Sequence, residues 1–210
     1  MYLKPFLLSF FLLSVLFNCE SSDIISPKQR GYPRVEFPTG KLVDYNQANI
    51  PIHFQYPDYY ILTKDSSLIG DADNKDNWFN LQLPSLNGSV HFSYYPVTRE
   101  NQLDKLVNDA FKMAHFHNKK ANYIDEVQLN ISPDVTGIEF HIKGPAATPY
   151  QFYLTDNKKH FVRGVFYVKS KINIDSLAPI HDFMIKDVQK IIDQFSLYTC
   201  VTQMTFDKGA

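Results

Sequence analysis

Residues able to do chemistry are scattered along this 210-residue chain, and most of their spacings argue against a site. His115 and His117 stand two apart in a helical stretch, so they point in different directions; a metal pair on a helix needs a spacing of four. Glu139 and His141 stand two apart in a strand-like stretch, project from one face and can approach each other. A paired or solvated strand face is the expectation for them, not a metal site. The segment "DADNKDNWFNLQ" starts in a calcium-loop rhythm at Asp71 and Asp73. Lys75, Asp76 in place of glycine, and Gln82 in place of glutamate break that rhythm. No G-x-S-x-G, phosphate-binding loop or G-x-G-x-x-G is present, and Cys200 has no His composed beside it. These residues point to a protein without catalytic groups, metal or cofactor.

Arg163 is the exception, because it interrupts the apolar run "HFVRGVFYV", where an unpaired charge is costly. The segment before it, "YQFYLT", is a second strand, and the connection decides which residues share a face. A three-residue turn of Asn157, Lys158 and Lys159 places Asp156 opposite His160. One face then holds Tyr150, Phe152, Leu154, Val162, Gly164, Phe166 and Val168, all apolar or small. The other holds Gln151, Tyr153, Thr155, Phe161, Arg163, Val165 and Tyr167. A two-residue turn would slip the register and mix the faces. Since even the second face is half aromatic, both faces are expected to be covered, with the hairpin central in a layered sandwich. Arg163 then requires a partner, for which a carboxylate on a neighbouring element is expected. The alternative is a contact point for a ligand or partner, built from Arg163 with Gln151, Tyr153, Thr155 and Tyr167. Gly164, on the opposite face, would let a covering helix approach closely.

The elements that position this hairpin follow from periodicity. "IHFQY", "YYILT", "WFNLQL" and "SVHFSYY" alternate and are broken by Pro, Asn and Gly. Between Thr98 and Lys119 the period changes: Leu103, Leu106, Val107, Ala110, Phe111 and Ala114 form a helical stripe, with Thr98 as the expected N-cap. "YIDEVQLNI" and "VTGIEFHIKG" are two more strands. A closing helix is expected from about Ser176 to Phe195, with Pro179 in its first turn, where amide donors are unpaired anyway. Strands joined by short turns must be antiparallel. The fold class expected is α/β (α+β), an α/β/α sandwich around an antiparallel sheet of six or seven strands.

The amino-terminal segment belongs to targeting. A lysine precedes the near-continuous apolar run from Pro5 to Phe17, too short to span a bilayer and suited to a secretory signal. "LFNC" ends it in the manner of a lipobox, with Asn18 at the usual small-residue position and Cys19 as the lipid-modified first residue. The competing expectation is an ordinary signal peptide or an uncleaved anchor. The organisation expected is therefore a signal over 1–18, a polar tether over 19–50, one globular domain over 51–197 and an irregular tail over 198–210. "YPRVEF" within the tether could be a short strand pinned onto the domain. A net charge of −1 offers no footprint for nucleic acid.

Three stretches together resemble the gliding-motility lipoprotein GldD family of the Bacteroidetes: "SPKQRGYPRVEFP", "GPAATPYQFYLTDNKKHFVRGVFYV" and "DSLAPIHDFMIKDVQKII". The resemblance runs from about Cys19 to Phe195, with the polar insertion around Asp71–Asn77 and the tail from Leu197 as departures. It implies a membrane-attached lipoprotein required for gliding and tied to type IX secretion, anchored by its lipid and working with other proteins of that machinery. It implies no catalytic residues. The strand and helix order is also similar to the Mog1/PsbP-like domains. The runner-up reading is a periplasmic module that binds a small ligand or lipid in a sheet-face groove.

Overall fold

The computed structural model describes residues 34–45, 50–64, 77–170 and 174–197. The expectations for Cys19, Cys200 and the calcium-like segment 71–76 lie outside these residues. At the centre is a seven-stranded antiparallel sheet, built from β4 (Ile61–Lys64), β5 (Trp78–Leu83), β6 (Gly88–Pro96), β7 (Tyr123–Ser132), β8 (Val135–Lys143), β9 (Tyr150–Thr155) and β10 (His160–Val168). The spatial order is β4-β5-β6-β10-β9-β8-β7. Helix α1 (Leu103–His115) is the crossover that carries the chain from β6 to the far edge at β7. Three short turns then bring it back, strand by strand, until β10 pairs with β6. Helix α2 (Ile174–Asp193) follows.

The two faces of the sheet carry separate cores. Phe79, Leu81, Val90, Phe92, Tyr150, Phe152, Leu154, Val162 and Phe166 line one face and pack with Met184, Val188, Ile191 and Ile192 of α2. Phe140, Tyr153 and Phe161 line the other and pack with Ala110 and Ala114 of α1, with Leu103, Leu106, Val107 and Phe111 alongside. The α1 stripe thus turns inward as its spacing predicts, with Ala110 and Ala114 buried and the others half-buried. An α/β/α sandwich results.

The hairpin register is the expected one. Phe161 faces Thr155, Val162 faces Leu154 and Arg163 faces Tyr153. The turn is held by one side chain: Asp156 Oδ1 accepts from the backbone N–H groups of Lys158, Lys159 and His160 at 3.0, 2.8 and 2.8 Å. Asn157 takes the left-handed conformation (φ 58°), which asparagine tolerates. Burial of Asp156 opposes its ionisation, but the three donors outweigh this and hold its carboxyl below the usual range.

Four local expectations need correction. Helix α1 starts at Leu103, and its N-cap position, Gln102, makes no side-chain cap. Thr98 instead organises the turn before it, its Oγ1 accepting from the N–H groups of Glu100 and Asn101. Pro179 lies inside α2, because that helix begins at Ile174. The space over Gly164 is taken first by a ring, not a helix: a β-carbon there would overlap Phe152, the cross-strand neighbour on β9. The stretch assigned to a tether is folded in its described part. Strand β1 (Leu42–Asp44) lies within it and pairs with β3 (Gln55–Pro57), while β2 (Ile52–His53), just beyond it, pairs with β11 (Ser196–Leu197); these four strands stand outside the main sheet. The cause is aromatic burial. Tyr45 is 2% exposed and stacks on Phe54 at 4.6 Å, and Phe37 stacks on Phe183 of α2 at 4.7 Å.

Candidate functional site

Alternation along β10 sends Arg163 to the α1 face of the sheet, between Tyr153 on β9 and Ser93 on β6. Its Nη2–H donates to the amide oxygen of Gln151 at 2.8 Å. Among the described residues, then, the hydrogen-bond partner of Arg163 is a neutral amide, where a carboxylate was expected. The reason is register. The near positions on this face are Ser93, Gln151, Tyr153 and Val165, none of them acidic, and Glu139 on β8 alternates to the other face. Burial lowers the pKa of Arg163, while the nearby Tyr167 and Tyr95 phenols act in the opposite sense. Arginine stays charged regardless. His117, in the turn of 3-10 helix after α1 (Phe116–Lys119), is held below its ordinary pKa by burial first and by the charge of Arg163 second.

The five residues expected as a contact group share one face but differ in access. Gln151 and Thr155 are buried. The Thr155 hydroxyl donates to the His160 carbonyl at 2.7 Å and accepts from Asn157 N–H at 3.0 Å, so it fastens the turn. Tyr153 lies beneath α1, stacked on Phe161 at 5.2 Å. Arg163 is half-buried, and Tyr167, 38% exposed, forms an edge contact with His91 at 5.3 Å. Only Arg163 and Tyr167 of the five are presented outward. Two strands from β10, on the same face of β5, Trp78 Nε1 and Asn80 Oδ1 are buried without hydrogen-bond partners among the described residues. Their closeness to Arg163's face depends on the β6–β10 pairing, which joins segments far apart in sequence and has no local signature.

Glu139 and His141 do come together, on the α2 face. His141 Nε2–H donates to Glu139 Oε1 at 2.9 Å, and the buried Tyr150 hydroxyl donates to Glu139 Oε2. Burial opposes ionisation of Glu139, yet the bonds from His141 and Tyr150, with one from Gln189 of α2, leave its carboxyl below the ordinary value. Burial first, and then the carboxylate of Glu139, push the Tyr150 phenol far up. A second buried acid, Asp187, accepts from Tyr59 at 2.6 Å, Tyr60 at 3.4 Å and Lys190 at 3.3 Å. Both networks tie α2 to the rest of the molecule and turn their polar atoms inward. Among the described residues, no three His, Cys, Asp or Glu side chains are grouped to hold a metal ion.

Two of the hollows among the described residues lie elsewhere. One, of about 260 Å³, lies beside α1 between Val107, Glu126, Gln128 and Tyr153. The other, of about 130 Å³, lies where Gly144, Ala146 and Pro149 meet Leu177, His181 and Ile185 of α2. Neither is lined by Arg163. No described helix is long and apolar enough to cross a membrane.

Comparison with known proteins gives two kinds of result. The chain is similar to cyanobacterial PsbP (CyanoP) from Synechocystis sp. PCC 6803, at 11% identity and a TM-score of 0.45, over 77% of this chain and 95% of that one. It is likewise similar to the Saccharomyces cerevisiae Ran-binding protein Mog1p, at 7% identity and a TM-score of 0.45, over 76% and 96%. No curated protein matches by sequence. A family model, by contrast, matches residues 22–197, a span that takes in every described residue, including the Arg163 hairpin and both buried acid networks. The chain belongs to the gliding motility lipoprotein GldD family.

Proposed function

We propose that this gliding motility lipoprotein is a non-catalytic component of the gliding apparatus and of the type IX secretion machinery tied to it. It faces the periplasm from a lipid on Cys19 and works through contacts with other proteins of that machinery. The observation that carries this reading is the family match over 22–197. The arrangement of charge supports it: the buried acids Glu139 and Asp187 are engaged by tyrosines and α2 side chains, not gathered at a cleft. The outward pair Arg163 and Tyr167 is the proposed contact point.

The test is genetic and biochemical together. Deletion should abolish colony spreading and block secretion of type IX cargo, with growth in liquid unchanged. Complementation by Cys19→Ala should fail, and that variant should leave the membrane fraction and lack lipid by mass spectrometry. Normal cargo secretion in a non-spreading deletion strain would detach the protein from secretion. A fully active, unlipidated Cys19→Ala variant would overturn the anchor.

A further inference from the structure

The sheet ends at β7, a ten-residue strand with no partner on its outer side among the described residues. At about 3.3 Å per residue this edge is about 33 Å long. Long exposed edges are templates for pairing, and proteins usually blunt them with proline, lysine or brevity. The other edge, β4, is only four residues long. Strand β7, "YIDEVQLNIS", contains neither proline nor lysine, has its charges at Asp125 and Glu126 and its irregularity only at the far end, between Asn130 and Ser132, and leaves Val127 44% and Tyr123 55% exposed.

The ladder shows which backbone groups are free. Ile142 N–H donates to Pro149 O at 2.9 Å, so the even residues of β8 bond toward β9 and its odd residues toward β7. Those odd residues pair with odd residues of β7, such as Glu139 with Val127 and Gly137 with Leu129. The N–H and C=O groups of Ile124, Glu126, Gln128 and Asn130 therefore point outward.

We propose that this edge pairs with the same edge of a second copy, antiparallel about a twofold axis at Val127, to make one continuous sheet across a dimer. The choice of axis follows from charge. An axis at Glu126 would set two glutamates face to face, and one at Asp125 two aspartates; like charges directly opposite are destabilising. With the axis at Val127, Glu126 lies across from Gln128 and Ile124 across from Asn130, which are the outward-bonding residues. Tyr123 lies across from Ile131, and the exposed valine meets its own copy. The surface is self-complementary, as a twofold interface requires.

Val127→Cys in the full-length chain, with Cys200→Ser to remove the other thiol, tests this directly. Val127 and its copy would form a non-hydrogen-bonded pair, whose Cβ atoms lie at the short end of about 4.5–5.5 Å, next to the roughly 3.5–4.5 Å that a disulfide spans. Oxidation in intact cells should give a disulfide-linked dimer for Val127→Cys and several-fold less for Glu126→Cys, which faces a different residue. The detergent-solubilised full-length protein should sediment as a dimer, and Val127→Lys should convert it to a monomer with an unchanged circular dichroism spectrum. A monomeric wild type overturns the proposal. So does crosslinking of Val127→Cys to a different protein with no self-linked product, since an extended segment of that protein would then occupy the edge.

Discussion

Removing a charged side chain from a sheet costs most when it strands an opposite charge, about 3–5 kcal/mol. Arg163→Ala would strand only the amide oxygen of Gln151. The unfolding free energy in a urea titration should fall by about 1–3 kcal/mol, the cost of one unsatisfied neutral group. A loss of about 4 kcal/mol or more would mean that Arg163 faces a buried carboxylate after all. Tyr167→Ala, at a position 38% exposed, should leave the melting temperature nearly unchanged and still reduce spreading if the pair contacts the machinery. Wild-type spreading in both variants would remove Arg163 and Tyr167 from the contact. Some of this was legible in the sequence: a charge inside "HFVRGVFYV" must be partnered, and the turn residues set which positions share its face. The identity of the partner was not. It depends on a side chain that reaches diagonally across β9, and strand alternation carries Glu139 of the next strand to the opposite face.

At the level of elements, local chemistry read well and long-range pairing did not. Strands β5, β7, β8, β9 and β10 are bounded by turn residues and alternate cleanly, so their limits follow the sequence closely. Helix α1 was misread by several residues at its start because Thr98 caps a turn instead of the helix. Gly164 was read as room for a helix, whereas it is room for a ring. Phe152 lies across it from β9, which fixes that ring against Phe92 at 5.9 Å. Gly164→Ala should therefore act as overpacking between two strands, lowering stability by about 1–3 kcal/mol. Combining it with Phe152→Leu should recover part of that loss in the same urea titration. Strictly additive losses would show that the two positions do not share the space.

For the whole molecule, the titrating groups favour neutral pH. Burial lowers the pKa of His160 and His181 below 6.5, and burial with the charge of Arg163 does so for His117. A depressed folded pKa gives stability that is present above the unfolded value and lost as pH falls. Decline should thus begin below about pH 6.5 as these histidines are protonated. It should steepen below about pH 4.5, where Glu139 and Asp156, also depressed, take up protons. The phenols behave oppositely. Burial pushes Tyr94 up to about 12 and Tyr60 and Tyr150 higher still, so the stability they hold is present below pH 10 and lost above it. Melting temperature should form a plateau from pH 7 to 9 and fall on both sides. A maximum at pH 5 would contradict these assignments.

The strand order also governs the timing of assembly. Strand β10 is the last of the seven to be synthesised, yet it lies between β6 and β9 at the middle of the sheet. Until it arrives, β4–β6 and β7–β9 are two separate ladders, each with an open edge. Contacts such as Val168 with Gly88 close a long loop, and topologies of this kind fold slowly. A chain that emerges amino-terminus first cannot complete its core before residue 168 is free, so it stays open and threadable until then. Its exposed ladders are open to aggregation during the same interval. A holding chaperone would be of most use to this protein in that window, before the hairpin around Asp156 has joined the two halves.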